Sequence, residues 1–95
     1  MAPPPGEPVF RRWEHTTYPH RKFYEVDIEL SLFYPKVLIR RWGRIGTKRP
    51  RSIRMLVGDR EELQQQVELI RRCRQAHGYH LVRELQVPVI EVVAA

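Results

Sequence analysis

Hydrophobic and polar residues alternate strictly from Phe23 to Leu32, and this period of two residues predicts a β-strand with one face on a core. The predicted core face carries Tyr24, Val26, Ile28, Leu30 and Leu32, whereas the water-facing side carries Phe23, Glu25, Asp27, Glu29 and Ser31. Pro35 then predicts a turn, since proline suits a turn and not the interior of a sheet. A second strand is predicted from Lys36 to Trp42, so the two segments indicate an antiparallel hairpin.

Two further segments predict strands on either side of this hairpin. Val9 to Glu14 would form a first short strand, and Ser52 to Val57 would form the strand that follows the hairpin. Residues 1–8 predict a disordered leader, because their prolines and glycine favour neither a helix nor a sheet. Residues 83–95 are compatible with a tail or with an extra edge strand. We therefore expect a folded domain over residues 9–82.

A helix is predicted from Arg60 to His77. Its apolar residues recur at helical spacing and form one stripe, made of Leu63, Val67 and Ile70. Asp59 suits the N-cap position and Glu62 stands three residues later, which is the arrangement of a capping box. Gly78 suits the left-handed position that ends a helix. With the strands, this helix predicts an α+β domain, an antiparallel sheet of about four strands with one helix on one face.

The positive charge of the chain is concentrated in one segment. The formal net charge is +6, and residues 36–54 contain eight basic residues and no acid. The remainder of the chain holds nine basic residues against eleven acidic ones, so the whole excess lies in that segment. The eight are Lys36, Arg40, Arg41, Arg44, Lys48, Arg49, Arg51 and Arg54. Such a localised excess indicates a polyanionic partner, because a merely solubilising charge would be spread along the chain.

Composition disfavours several other classes of protein. The single cysteine, Cys73, excludes a framework of internal disulfides. The first thirty residues resemble no secretory signal, and the apolar stretch at residues 87–95 is far shorter than the roughly 20 residues that span a bilayer. We therefore expect an intracellular, cytoplasmic protein without membrane contact. A chain of 95 residues supports one modest core, which favours a binding module over an enzyme.

The sequence RRWGRIG at Arg40–Gly46 resembles the signature of the WGR domain family, which is named for the tripeptide present here as Trp42-Gly43-Arg44. The resemblance continues on both sides of this tripeptide and spans roughly residues 10–79. Upstream, Lys22–Val26 is similar to the Lys-aromatic-aromatic opening of a strand in the family, and downstream a capped helix is closed by Gly78-Tyr79. The following turn departs from the family, because Arg49-Pro50 replaces its usual Gly-Gln. The resemblance implies a twisted antiparallel sheet with a helix on one face.

The same resemblance implies DNA binding. In poly(ADP-ribose) polymerases this domain holds the end of a broken DNA strand, where its Trp packs on the terminal sugar while its Gly backbone and its Arg contact the phosphate. These roles would fall to Trp42, Gly43 and Arg44, with Arg21 and Lys22 near further phosphate contacts. Tyr79 is a weaker candidate by the same logic.

The chemistry of these residue types agrees with that implication. An aromatic ring stacks on a base or covers a sugar, a glycine lets an anion approach the backbone closely, and arginine offers a planar fork to a phosphate. The basic loop after the motif adds charge next to it. The candidate nucleic-acid-binding residues are Trp42, Gly43, Arg44, Arg40, Lys48, Arg49, Arg51, Arg54, Arg21, Lys22 and Tyr79.

Structural roles compete with these assignments. Trp42 would serve equally well as a core tryptophan that orients the hairpin, and Arg44 as a salt-bridge partner of the acidic strand. That strand supplies three acids against eight bases, so it cannot neutralise the segment. The Cys73, His77 and His80 spacing is a weak metal signal, because a site needs a fourth ligand and a break in the helix. No metal and no cofactor are expected.

The sequence therefore predicts a non-enzymatic module that binds DNA at ends, nicks or breaks. In that role the protein would lie at the nucleoid or in the nucleus when bound to DNA. The alternative is an adaptor that joins a protein partner in a DNA-associated complex, with the proline-rich leader and the valine-rich C-terminal segment as its contact elements.

Overall fold

The computed structural model describes residues 7–87, which form five strands and one helix. In chain order the elements are β1 (Glu7–His15), β2 (Lys22–Ile28), β3 (Lys36–Arg44), β4 (Arg51–Val57), α1 (Arg60–Ala76) and β5 (His80–Val87). The strands form one sheet in the order β4-β3-β2-β1-β5, and every neighbouring pair is antiparallel. The predicted α+β architecture is confirmed, with five strands where about four were expected.

The ends of the first and last strands differ from the predicted boundaries. β1 begins at Glu7, two residues inside the predicted leader, whose residues 1–6 lie outside the described part of the chain. β5 pairs with β1 along the edge of the sheet and continues to Val87. It therefore crosses the predicted domain boundary, and only residues 88–95 of the predicted tail or edge strand lie outside the described part.

The antiparallel arrangement gathers the connections at two ends of the sheet. One end, here called the Trp42 end, carries residues 16–21 between β1 and β2, residues 45–50 between β3 and β4, and residues 77–79 between α1 and β5. The opposite Lys36 end carries the start of β1, residues 29–35, residues 58–59 and the end of β5. Residues far apart in the sequence are thereby brought to the same end.

The hydrophobic core lies between the sheet and α1. The helix contributes its predicted stripe, and the sheet contributes the side chains of its helix-facing side, among which Leu38 and Val57 are fully buried. The core residues are Trp13, Tyr24, Val26, Ile28, Leu38, Val57, Leu63, Val67, Ile70 and Tyr79. Within residues 7–87, α1 is the one helix, and it is not long and apolar enough to span a membrane.

The caps of α1 are those that the sequence predicts. The Asp59 carboxylate accepts the backbone N–H of Glu62 at 2.8 Å, which satisfies one free donor of the first turn. Glu62 completes the cap one residue earlier than in a standard capping box, since its carboxylate accepts the N–H of Gly58 at 2.8 Å. The helix ends at Ala76, and Gly78 follows with a φ of +84°.

The predicted strand from Phe23 to Leu32 is too long. β2 ends at Ile28, and the N–H of Glu29 makes the last bond to the β3 side, to the carbonyl of Val37. The alternation continues past this point, but Leu30 and Leu32 are 73% and 68% exposed. Their prediction as core residues is wrong, because β3 begins only at Lys36 and the residues after Glu29 have no partner strand among residues 7–87.

Phe23 was expected on the water-facing side, yet it is only 6% exposed. It does point away from the helix, and the guanidinium of Arg12 covers it at 4.4 Å from the ring centroid. The apolar stem and planar head of an arginine shield an aromatic ring while the charge stays hydrated. Arg12 also contacts Glu14 at 2.9 Å and Glu25 at 3.3 Å, which fixes it over the ring.

Candidate nucleic-acid interface

A groove of about 380 Å³ lies at the Trp42 end. It is lined by Pro19, His20, Arg21, Lys22, Trp42, Gly43, Arg44 and Tyr79. Six of these eight residues are among the nucleic-acid-binding candidates from the sequence, and Pro19 and His20 are the other two. The hairpin register brings them together, because Lys22 lies opposite Arg44, and the N–H of Ile45 donates to the carbonyl of Arg21 at 3.0 Å.

Trp42 contacts the core and also lines the groove. Its ring stacks on Tyr24 at a centroid distance of 5.9 Å and an interplanar angle of 14°. The side chain is half-buried and packs against the hydrophobic core. The two alternatives for this residue are therefore compatible, since packing on Tyr24 orients the ring while part of it stays accessible from the groove.

A cation from the helix packs against the tyrosine rings of this end. The guanidinium of Arg74, in the last turn of α1, lies 4.4 Å from the centroid of Tyr24 and 5.0 Å from that of Tyr79. Lys22 approaches Tyr79 from β2, with its Nζ 5.7 Å from the ring centroid. Tyr79 is thus buried between cations and presents only part of its surface to the groove.

The cross-strand salt bridge expected for Arg44 as a structural alternative does not form. Arg41 takes the partner on the acidic strand, with its Nη1 3.3 Å from the Asp27 carboxylate. Lys36 contacts Glu7 at 3.6 Å. Within residues 7–87, the other six basic residues of the segment have no carboxylate within salt-bridge distance: Arg40, Arg44, Lys48, Arg49, Arg51 and Arg54.

These six residues do not share one surface. Arg51 lies opposite Trp42 on β4 and therefore on the same face, while Lys48 and Arg49 belong to the exposed loop at the same end. Arg40 and Arg54 do not line the groove. Arg40 lies two residues before Trp42, and its buried Nε has no hydrogen-bond partner in the described part of the chain. Arg54 lies opposite Ile39 on the face away from the helix.

Four residues of this end were not predicted. Pro19 and His20 form a wall of the groove, and Tyr24 and Arg74 support the two aromatic side chains that line it. An antiparallel hairpin of β1 and β2 would have indicated that residues 16–21 lie at the Trp42 end, but the sequence does not give the register that selects individual side chains.

Gly43 has a packing reason to be glycine. Its α-carbon lies opposite Phe23, and the loop after β3 folds back over it. A Cβ added at Gly43 would lie 3.2 Å from Cγ2 of Thr47 and 3.8 Å from both the Phe23 ring and the Cα of Pro50. The absent side chain thus lets the basic loop pack close to the sheet, next to the groove.

The Gly43→Val substitution is expected to lower the free energy of unfolding by about 1–3 kcal/mol, because its methyl groups would overpack this contact with Thr47. Chemical denaturation measures the change. Ser52→Val is the matched control, since Ser52 is exposed on the same face of the sheet. A Gly43→Val protein as stable as the Ser52→Val protein would show that the loop does not pack on this position.

Two histidine rings pack against each other beside the groove, at a tilt of 35°. The rings of His15 and His20 lie 4.4 Å apart, and His15 meets Tyr79 edge to face at 5.6 Å. Nδ1 of His15 is buried without a hydrogen-bond partner in the described part of the chain. Burial lowers the pKa of His15, and the positive charges of His20, Lys22 and His80 lower it further.

Acidification below about pH 6.5 is expected to destabilise the protein through His15. Its pKa in the folded state lies below the ordinary value of 6.5, so the unfolded chain binds the proton more readily and stability falls as the pH drops through this range. Melting temperatures at about pH 7.5 and pH 5.5 measure the effect. The melting temperature of the His15→Gln protein should fall less on acidification than that of the wild type. Equal decreases in melting temperature would contradict the assignment of this effect to His15.

The weak metal signal concerns Cys73, His77 and His80. Nδ1 of His77 lies 2.6 Å from the carbonyl oxygen of Cys73, so this nitrogen donates its proton and only Nε2 keeps a lone pair. No group of three potential ligand side chains occurs among residues 7–87.

Comparison with known proteins identifies a family. The chain matches the family model of the WGR domain over residues 9–85, which includes part or all of each of the five strands and the helix. No curated protein and no solved structure matches the chain.

Proposed function

Because the chain belongs to the WGR domain family, a nucleic-acid-binding type of domain, we propose that it is a non-enzymatic module that binds DNA ends, nicks or breaks in the groove at the Trp42 end. One observation carries this proposal: Trp42 and Tyr79 line the same groove as Arg21, Lys22 and Arg44, none of which has a carboxylate partner within residues 7–87.

The groove separates two kinds of contact. The exposed guanidinium of Arg44 is available for two parallel hydrogen bonds to a phosphate, and Lys22 faces it across the hairpin as a second cation. Trp42 supplies an accessible aromatic surface beside them for a sugar or a base. Arg51 and the loop residues Lys48 and Arg49 extend the positive surface along the DNA backbone.

The packing of Trp42 on Tyr24 supports a preference for the end of a strand over the interior of a duplex. Trp42 already stacks on Tyr24 and cannot insert far between base pairs without losing that contact. Inside a duplex, both faces of every base are stacked on neighbours, and unstacking costs a few kcal/mol. A terminal nucleotide has one free face, so it reaches the ring without this cost.

Three DNA molecules that share the same duplex sequence test the proposal: a hairpin with one open end, a closed dumbbell, and the same dumbbell with a nick. Fluorescence anisotropy at about 50 mM salt and upward gives the affinities. The open and nicked molecules should bind about 10-fold more tightly than the closed dumbbell, since one stacked nucleotide contributes about 1–3 kcal/mol. If four cations contact phosphates, the logarithm of affinity falls with the logarithm of salt at a slope of about −3 to −4.

The outcomes separate the parts of the proposal. Absence of binding to all three molecules at the lowest salt would contradict DNA binding. Equal affinity for the nicked and closed dumbbells would contradict the preference for breaks and leave only general electrostatic attraction to the duplex.

A further inference from the structure

Strand β4 forms an open edge of the sheet. It pairs with β3 along its whole length, and within residues 7–87 no strand lies on its other side. Neither a register shift nor a proline interrupts β4, whereas β5 at the opposite edge pairs with β1 through two register shifts. A regular edge strand is a template for the addition of another strand, because its outward N–H and carbonyl groups are free to pair.

The register of the sheet identifies the backbone groups that point outward from β4. On β3, the backbone of Val37 bonds toward β2, since its carbonyl accepts the N–H of Glu29 and its own N–H donates to the Glu29 carboxylate. Bonding directions alternate along a strand, so Leu38 bonds toward β4, where it lies opposite Met55. Met55 therefore bonds inward, and the same alternation along β4 directs the backbone groups of three residues to the open edge: Ser52, Arg54 and Leu56.

Apolar side chains lie on the helix-facing side of this edge. Ile53 and Met55 belong to that side of β4, and Ile53 is 46% exposed. From α1, Leu69 adds a side chain that is 58% exposed, on the flank of the helix opposite to the one that contacts β1. A further strand beside β4 would cover part of this apolar surface, which favours its association.

Two arginines make this edge positive. Arg51 and Arg54 are exposed, and neither has a carboxylate within salt-bridge distance among residues 7–87. The acidic residues that follow β4 belong to the start of α1, where the Asp59 and Glu62 carboxylates cap the helix. The acidic strand β2 is separated from β4 by β3. The charge therefore favours acidic side chains in whatever pairs with this edge.

We propose that the β4 edge binds an extended segment of a partner protein, in which acidic and apolar residues alternate, as a sixth antiparallel strand. Its backbone bonds to the three outward residues of β4. Its acidic residues lie on the same face as Arg54, and its apolar residues lie beside Ile53 on the helix-facing side, because residues opposite each other in a sheet share a face.

Two other occupants fit this edge less well. A second copy of the chain, paired through β4 about the centre of the strand, would bring the two Arg54 side chains directly opposite each other, and like charges in that position are destabilising. The phosphate backbone of DNA would leave the apolar side chain of Ile53 uncovered. The inference does not depend on DNA binding in the groove, since Ser52, Arg54 and Leu56 do not line it.

Fluorescent peptides test the proposal. The probe is a blocked peptide of about nine residues in which valine and glutamate alternate, long enough to span β4. One control has the same composition with the glutamates grouped together, and a second alternates valine with lysine. In fluorescence anisotropy at about 50 mM salt, the alternating acidic peptide should bind at least about 10-fold more tightly than either control, since it alone combines the period of a strand with the opposite charge.

Variants of β4 locate the contact. Ser52→Pro removes an outward N–H and no bond to β3, so it should weaken binding of the acidic peptide about 3- to 10-fold, while Ser52→Val keeps this N–H and is the matched control. Arg54→Glu should weaken the acidic peptide and strengthen the lysine peptide, each by at least about threefold. This exchange of preference tests the edge even where Ser52→Pro perturbs the fold.

Three results would overturn the proposal. Equal affinities for the alternating and grouped acidic peptides would show that charge alone attracts them. Dimers of the protein that dissociate in the Ser52→Pro variant would show that a second copy occupies the edge. Failure of every peptide to bind, together with a loss of affinity for the DNA hairpin in the Arg54→Glu protein, would assign the edge to DNA.

Discussion

Replacement of Arg44 by alanine should weaken binding to a DNA end by about 10- to 100-fold, because a hydrogen bond to a charged group contributes about 1.5–3 kcal/mol. Arg44 is exposed, lines the groove and makes no salt bridge within residues 7–87. Its removal should therefore leave the free energy of unfolding unchanged. Fluorescence anisotropy with the open-ended hairpin measures the affinity, and chemical denaturation of the same preparations measures the stability.

Arg54→Ala is the matched control for this experiment. It removes the same charge from the same basic segment, but Arg54 lies on the face of the sheet away from the helix and outside the groove. Its loss should reduce affinity less than about threefold, as for a distant exposed charge. Similar losses for Arg44→Ala and Arg54→Ala would indicate diffuse attraction to the whole basic segment and would contradict binding in the groove.

Replacement of Trp42 by alanine should reduce both stability and DNA binding. The ring stacks on Tyr24 and packs against the core, so its truncation should lower the free energy of unfolding by about 2–3 kcal/mol. The affinity for a DNA end should fall as well, by about 10-fold or more for one lost stacking contact. Affinity is therefore compared only under conditions in which denaturation curves show the Trp42→Ala protein to be folded.

Two further variants separate the effects at Trp42. Trp42→Phe keeps an aromatic ring and should recover most of the stability and part of the affinity. Leu56→Ala is the control for loss of a large side chain, since Leu56 is largely exposed and its truncation should change stability by less than about 0.5 kcal/mol. A Trp42→Ala protein as stable as Leu56→Ala would show that Trp42 does not support the core.

Local signals in the sequence predicted most of the fold. The Asp59 cap and the positive φ of Gly78 bound the helix as predicted, because capping depends on residues within one turn of each other. The ends of the strands were harder to predict from the sequence, since they depend on where the partner strand begins and ends. Leu30 and Leu32 continue the alternating pattern of β2, but β3 begins too late to pair with them.

The last strand illustrates a related limit. The β5 sequence has no strict alternation, and its pairing with β1 contains two register shifts. A bulge moves later side chains to the other face, so a single period of two residues does not describe this strand. The sequence therefore left open whether residues 83–95 form a tail or an edge strand. In the structure, β5 pairs with β1 and continues to Val87.

The candidate interface was predicted in part for the same reason. The Trp42-Gly43-Arg44 tripeptide is contiguous and carries a family resemblance, so it could be identified from the sequence. The contacts of Tyr24 and Arg74 depend on hairpin register and on where the helix ends, which no local pattern encodes. The count of basic residues placed Arg54 and Arg44 in the same candidate binding surface. The register of β3 and β4 instead places Arg54 on the face of the sheet that points away from the helix.

The two ends of the sheet differ in chemistry. The Trp42 end combines accessible aromatic surface with cations that have no carboxylate partner within residues 7–87, whereas the Lys36 end combines apolar walls with a shared carboxylate. A ligand at one end should leave the other unaffected, and this separation makes the site of DNA binding directly observable.

Backbone amide chemical shifts of the ¹⁵N-labelled protein, recorded as the open-ended DNA hairpin is added, test the central claim most directly. We expect the largest changes in residues 16–21, 43–50 and 77–79, which surround the groove, and little change in residues 29–35 at the Lys36 end. Changes strongest at the Lys36 end, or no changes at low salt, would contradict DNA binding at the Trp42 end.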